Sequence, residues 1–593
     1  MKKMPSLFIS AILMLSLVQV QAQNHPNAEM LDFILKEKVH FQHPLDLSEI
    51  ENTDTKIHPN VILRDGKERK MTANTSRSFS EGEPMIAIDP NDPNKMVMSY
   101  MKLGGGSLVM PVYHSEDGGQ TWTQSSFSTL TAIRTDKETS GQQLLGGGDP
   151  VLAYDTEGRL WFSYISLTNG SKGLLFICWM AYSDNNGVSF KQDRNGRYLG
   201  RAKIVGNSID LNYGNGLLDR QWLVVDNSKG PNRGKMYLSG VYLGKGQSTN
   251  AQIMVITKEH KDLKFPNELN PVSDAHQPQF AHMTIDDNGT LHLVYCTIAT
   301  GELFYQQSSD GGKTFSEAVP IDFLTYNKQA TVKATHQREN PMPQIAASKD
   351  GQTLYVSWTD FEAYKASAYI SSSKDGGVTW ERTFDLSDLS DWGGNSLMPT
   401  IAINSEGDLV ASWYAINNNL EGQFTIGVQL HNQDKFESAP LFTSEEKCDF
   451  KLYRNAQSDF FGDYLNSVTQ GTKTYTVFAD GRNRKGPKLY LAVTDHFGLN
   501  TSITPINVSP LTIESVLPTP ASSLITIRLN QVINERARIR WVNMEGDILK
   551  REARPIEGDI LHLEVPERLV NGTYILQLQL NDKMVSTKVL VSR

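Results

Sequence analysis

Apolar and polar residues alternate along this chain in short runs, and the runs come in pairs. A proline or an acid precedes a first apolar run, a turn follows, and a second apolar run closes on an aromatic. EPMIAIDP (Glu83 to Pro90) leads to MVMSY, and DPVLAYD (Asp149 to Asp155) leads to LWFSY. RQWLVVD (Arg220 to Asp226) leads to MYLSGVY, and QFAHMTID (Gln279 to Asp286) leads to LHLVY. MPQIAAS (Met342 to Ser348) with LYVSW, MPTIAIN (Met398 to Asn404) with LVASW, and GDYLNSV (Gly462 to Val468) with YTVFAD complete a series of seven. The copies follow one another at roughly 60 to 70 residues, a period that belongs to propellers and solenoids. Period-two alternation predicts strands.

A second signature lies about 30 residues into four of the copies, between the third and fourth predicted strands. SEDGGQTW spans Ser115 to Trp122, SDNNGVSF Ser183 to Phe190, SSDGGKTF Ser308 to Phe315, and SKDGGVTW Ser373 to Trp380. Aspartate (Asn185 in one copy) accepts backbone N–H bonds, glycine supplies positive φ, and the aromatic is expected to pack under the turn. Two further copies, Thr257 to Phe265 and His431 to Phe436, have degenerated. Four strands per copy with no strong helical period between them predict an all-β fold, a seven-bladed β-propeller over 76–500. The four turns at constant phase resemble the sialidase-like Asp-box (bacterial neuraminidase repeat) superfamily from Glu83 to near Asp495. They are structural turns in this reading, not catalytic ones.

The ends differ from the repeats. Lys2 and Lys3 precede an apolar run from Leu7 to Val18, and Val20-Gln21-Ala22 offers small residues for cleavage, so 1–22 reads as a signal peptide. Residues 23–75 form an N-terminal extension that includes a candidate short helix, Ala28 to Lys38. From 505 to 593 short alternating strands predict a small C-terminal β-sandwich. LPTPASSLITI, the MEGDIL turn and the closing NGTYILQLQLNDKMVSTKVLV resemble the C-terminal sorting domain of type IX secretion substrates. Thr519-Pro520 stands where that domain usually has Asn-Pro. The resemblance implies the type IX secretion machinery as a partner, passage through the outer membrane, and release or surface attachment.

Composition narrows the partners. The net charge is −9 and no basic block of five residues occurs, so nucleic acid is not expected. Three cysteines are too few and too scattered for a disulfide framework or a zinc site, and Cys178 and Cys296 read as small apolar strand residues. No metal or cofactor is expected. After the leader no apolar stretch reaches 18 residues, so no transmembrane segment is expected.

Repeat phase places residues just before each first strand and just after each second strand on one face of such a fold. Acids, arginines and aromatics gather there, as a glycan pocket requires. A retaining sialidase, which the resemblance brings in, uses an arginine trio for the substrate carboxylate, a tyrosine nucleophile with a glutamate partner, and an aspartic acid/base. At the matching phase stand Arg220, Arg338 and Arg482 as the clamp, Tyr464 as nucleophile, Glu83 as its partner and Asp149 as acid/base. Asp360 and Asp463 join them as substrate-binding residues. The Phe-Arg-Ile-Pro motif of sialidases is absent, and Arg77 stands nearest its expected place. An alternative pairs Arg220 with Asp219 and Arg482 with Asp480 as local struts. Function stays open between an exo-acting glycoside hydrolase on acidic sugars, a non-enzymatic glycan- or protein-binding surface propeller, and a polysaccharide lyase using His276 or His282.

Overall fold

The computed structural model describes residues 56–57, 61–62, most of 79–495 and most of 513–593; 130–146, 325–340, 450–461 and 481–487 are among the stretches outside that description. The signal segment, the candidate helix at Ala28 to Lys38, Arg77, His276, Arg338 and Arg482 lie outside the described residues. The chain divides into two compact units, one reaching Gly498 and the other running from Leu499 to Arg593.

The first unit is all-β. Its described strands form seven antiparallel sheets in chain order, apart from one parallel edge strand, and two short 3-10 turns, Ser126–Thr129 and Leu386–Leu389, are its only described helical elements. The first strands of the seven sheets are Phe79–Asp89, Gly148–Tyr154, Leu217–Val225, Pro278–Ile285, Gln344–Ala347, Asn395–Ile403 and Asn466–Gln470. These are the runs that alternation picked out. Each touches the first strand of the next sheet, and the seventh touches the first. Two short strands of the N-terminal extension join outer edges. Lys56–Ile57 pairs with Trp122–Gln124 of the first sheet, and Val61–Ile62 runs parallel to Lys488–Asp495 of the seventh.

Neighbouring sheets share apolar cores. Ile86, Met96 and Met98 of the first sheet pack with Val477, Leu489 and Leu491 of the seventh. Leu152, Trp161 and Phe162 of the second pack with Leu223 and Leu238 of the third. Each such side chain removed from water contributes about 1.5–3 kcal/mol. Cys178 and Cys296 are buried free thiols within strands, packed as apolar residues.

The four Ser-x-Asp turns repeat one hydrogen-bond set between third and fourth strands. Ser115, Ser308 and Ser373 donate to the carboxylate two residues on at 2.7–2.8 Å, and Ser183 donates to Asn185 at 2.8 Å. The same four hydroxyls accept the N–H of Gly119, Gly187, Gly312 and Gly377 at 2.9 Å. Asp375 is held down to about 2, first by the Thr379 hydroxyl, then by the Thr379 N–H and the Ser373 hydroxyl. Trp122 and Phe190 are buried under their turns, whereas Phe315 and Trp380 are only half covered. The expectation of a covered aromatic therefore holds for the first two turns. In the other two the ring is partly exposed.

A second regularity was not visible in the sequence. Apart from Asn186 in one Ser-x-Asp-type turn, six described non-glycine residues have left-handed backbones: Glu83 (φ 50°), Asp149 (47°), Arg220 (53°), Phe280 (58°), Met342 (43°) and Met398 (51°), and Gly462 (102°) is the seventh of the series. One falls in the first half of each inner strand or just before it. Five of the seven sit at a register break against the second strand, such as Gly82/Met85 and Asp219/Trp222, which marks a β-bulge. A left-handed non-glycine residue costs about 1–3 kcal/mol and persists only where its surroundings hold it.

The second unit is a five-stranded antiparallel assembly. Its long strand Leu524–Val542 pairs with Ile513–Leu517 and Ile548–Glu564, and its far half with Gly572–Leu580. Alternate residues Ile525, Ile527 and Leu529, then Ala537, Ile539 and Trp541, face one core with Leu561, Leu563, Leu576 and Leu578.

Candidate functional site

The bulges aim side chains of successive sheets at one place. Arg220, 5% exposed, forms an ion pair with the buried carboxylate of Asp463 in the seventh sheet. Its guanidinium also lies 5.3 Å from the Phe280 ring of the fourth sheet and 3.7 Å from the Met342 sulfur before the fifth. Burial opposes its charge, but Asp463, Asp149, Glu83 and Asp219, in that order of strength, more than restore it and raise its pKa. Tyr464 shares this neighbourhood. Burial, then the charges of Glu83 and Asp149, push its hydroxyl well above the usual tyrosine range, with Arg220 pulling the other way.

Five of the eight residues chosen from repeat phase therefore come together: Glu83, Asp149, Arg220, Asp463 and Tyr464. All are buried. Arg338 and Arg482 lie outside the described residues, so the arginine trio is represented by Arg220. Asp360 is buried near the end of the second strand of the fifth sheet. There its carboxylate accepts the Phe361 N–H at 2.8 Å and its charge reaches Arg382.

Local pairing takes a different form from the Asp219–Arg220 strut. The Asp219 carboxylate accepts Arg220's own backbone N–H at 2.9 Å, while the guanidinium goes to Asp463 of another sheet. Burial, then the charge of Asp149, lift the Asp219 carboxyl above the usual carboxylate range, against the pull of Arg220. Asp219 is thus a member of the cluster that sequence reasoning left as a strut. Gln221, Phe280 and Met342 were also missed. Phe280 and Met342 occupy the left-handed position that Glu83, Asp149 and Arg220 occupy in their own sheets, so alignment of the repeats would have found them.

Below the cluster, side chains two residues beyond the bulges meet. The Trp222 and His282 rings lie 4.1 Å apart, and Trp222 meets Tyr464 edge-on at 6.3 Å. Gln344 donates to the Leu465 carbonyl at 2.9 Å and accepts from the Thr400 hydroxyl at 2.8 Å. His282 accepts the Ile345 N–H at 3.2 Å, and burial pushes its pKa down to about 3. A neutral ring so engaged is a poor proton acceptor, which disfavours the lyase role considered for His282.

Trp222, His282 and Gln344 separate two cavities. On the cluster side a space of about 20 Å³ is bordered by Asp149, Arg220, Phe280, Met342 and Tyr464. It has room for a water molecule but not a sugar. On the other side a cavity of about 930 Å³ is lined by first strands of all seven sheets, from Met85 and Leu152 round to Asn466. Among the described residues no group of three or more His, Cys, Asp or Glu side chains is arranged to hold a metal ion.

Comparison with known proteins bears first on the second unit. Residues 515–592 match the family described as secretion system C-terminal sorting domain. The chain is accordingly exported, to the cell surface or beyond, by way of a type IX sorting signal. Among the described residues no helix is long and apolar enough to cross a membrane. No curated protein matches the chain. A solved structure of a protein of unknown function from Dyadobacter fermentans is 14% identical, covering 61% of this chain and 94% of its own, with a TM-score of 0.38. A Hadza microbial sialidase is 16% identical over 56% of this chain and 63% of its own, with a TM-score of 0.35. An α-L-arabinofuranosidase of Fusarium graminearum is 13% identical over 58% and 91%, also at 0.35.

Proposed function

We propose that this protein is an exported seven-bladed β-propeller of the sialidase-like Asp-box kind that hydrolyses glycosidic bonds in complex glycans. In this reading 1–22 is a signal peptide, 23–75 an extension, 76–500 the propeller and 505–593 a sorting β-sandwich. The contact series of inner strands, returning from seventh to first, supports the propeller. The four identically bonded Ser-x-Asp turns support the Asp-box assignment.

One observation carries the hydrolase: the Tyr464 hydroxyl sits among Glu83, Asp149, Arg220 and Asp463, in a place where carboxyls and a phenol perturb one another's protonation. In this reading Tyr464 is the nucleophile, Glu83 draws its proton, Asp149 protonates the leaving oxygen, and the space of about 20 Å³ beside them has to widen to admit a sugar. The atoms balance as in other retaining hydrolases, with water releasing the sugar from the covalent intermediate. Arg220 holds the substrate with Asp463 and Asp360, joined for an acidic sugar by Arg338 and Arg482.

Burial of the whole cluster favours a second reading, in which the group ties the sheets together and the protein binds glycan without cleaving it. Incubating the full chain with acidic and neutral oligosaccharides, and resolving the released sugars by chromatography, separates the two. The hydrolase reading expects terminal sugars to be released, with Asp149→Asn slowing release by about 10²–10⁴-fold. Saturable binding with no released sugar would establish the binding module instead. Release of neutral sugars alone would remove the acidic-sugar assignment.

A further inference from the structure

The large cavity has a floor, a wall and a mouth, each set by the alternation of the first strands. Trp222, His282, Gln344 and Asn466 form the floor. Two residues further along the same strands stand Val224, Thr284, Ala346 and Val468, which point the same way and form the wall. These wall residues are small, and the cavity they enclose, about 930 Å³, falls within the roughly 300–1,000 Å³ of small-molecule sites. The mouth is made by first-to-second-strand turns, with Asp287 of the fourth sheet, Lys349 and Asp350 of the fifth and Glu406 of the sixth. Lys374 of a Ser-x-Asp turn borders it too. The cavity thus opens on the side of the turns, away from the strand starts that carry Glu83 and Arg220.

The floor offers hydrogen-bond donors that the protein does not use. His282 accepts the Ile345 N–H at Nδ1, 3.2 Å away, so its neutral ring carries the proton on Nε2. Asn466, 5% exposed, engages its Oδ1 with the Ile86 N–H at 3.0 Å. Among the described residues no acceptor meets the His282 Nε2–H, the Asn466 amide N–H groups or the Trp222 indole N–H. Trp222 and His282 border both cavities, and Asn466 borders the large one. Neither layer contains a charged side chain, and four acids face two lysines in the rest of the lining. One of those lysines, Lys349, is held by the Ser405 carbonyl at 2.7 Å.

We infer that this cavity is a second ligand site, separate from the Arg220 cluster, and that it takes a neutral mono- or disaccharide. A sugar presents ring and hydroxyl oxygens to the unused donors, and C–H faces to the Trp222–His282 pair and the small apolar wall. An anionic sugar would pass the acids at the mouth and find no cation below them. The inference does not rest on the hydrolase reading. A chain that binds neutral sugar here and releases none keeps this site and loses that reading alone.

Saturation-transfer NMR of the full chain tests it, with glucose, galactose, mannose, N-acetylglucosamine, lactose and cellobiose as probes. N-acetylneuraminic acid and triglycine serve as the anionic and peptide probes. At least one neutral sugar should bind saturably. Val224→Trp and Thr284→Trp, which fill the cavity from two different sheets, should each weaken that binding at least about tenfold while Tm stays within a few degrees. In the natural chain the Trp222 indole N–H resonance, assigned through Trp222→Phe, should move as the sugar saturates. No saturable neutral sugar, binding that survives both filling variants, or an unmoved Trp222 resonance would overturn the site. Loss in both variants of triglycine or N-acetylneuraminic acid binding, with no neutral sugar bound, would overturn the ligand class. If one filling variant does not fold the other decides, and if neither folds the Trp222 resonance decides.

Discussion

The seven left-handed positions fall into two groups that share a backbone and differ in chemistry. Around those of the third, seventh, first and second sheets stand Asp219, Arg220, Asp463, Tyr464, Glu83 and Asp149. Those of the fourth, fifth and sixth carry Phe280, Met342 and Met398. A left-handed residue is strained in either group, so strain alone does not mark function here. The left-handed position recurs in all seven sheets, as a device of the fold, and only in the seventh is it a glycine. What distinguishes the first group is charge removed from water. The guanidinium of Arg220 bridges the groups, paired to Asp463 on one side and lying against Phe280 and Met342 on the other.

The contrast is broken most severely at that bridge. Arg220→Ala leaves four buried carboxyls without their cation and should destabilise the first unit by about 3–5 kcal/mol, read as a fall in Tm and in the denaturant midpoint. The double variant Arg220→Ala/Asp463→Asn should recover part of that loss at neutral pH. If it recovers none, charge balance is not what the arginine supplies.

Gly462 gives an intermediate effect. Its φ is 102°, and a Cβ there would lie 2.7 Å from the Glu83 nitrogen. Gly462→Ala should lower stability by about 1–3 kcal/mol and disturb the seventh-to-first contact beside Glu83. An unchanged Tm would mean that this strand shifts freely and that the cluster is not held from the seventh sheet. In the apolar group Met342→Leu conserves volume and should lower stability by less than about 1.5 kcal/mol, checked by thermal melting. A loss as large as that of Arg220→Ala would erase the distinction between the groups.

Sequence and structure agree where one repeat is enough to specify the outcome. Short apolar runs bounded by turns located every inner strand because those strands are buried over most of their length, and Ser-x-Asp-x-Gly located the four turns because the bonds that define them are local. Common phase brought Glu83, Asp149, Arg220, Asp463 and Tyr464 together before any contact was known. Contacts between repeats were not legible. Arg220 chooses Asp463, 243 residues away in the chain, over the adjacent Asp219 because the seventh sheet returns to the first and third across the center. The neighbours of Asp360 were not legible for a related reason. Phase put it after a second strand, but its surroundings are set by Arg382 on the fourth strand of its own sheet. The edge strands Lys56–Ile57 and Val61–Ile62 are two residues long and carry no period to read.

In the hydrolase reading the buried cluster is a catalytic centre as well as a tie between sheets. Tyr464→Phe removes a single oxygen from it and preserves the ring against Trp222. Turnover of whichever glycan the full chain cleaves, measured together with Tm, decides between the two roles. The account predicts that kcat falls by at least about 10²-fold while Tm stays within a few degrees of the natural chain. Unchanged turnover in Tyr464→Phe, with or without a change in Tm, would contradict it.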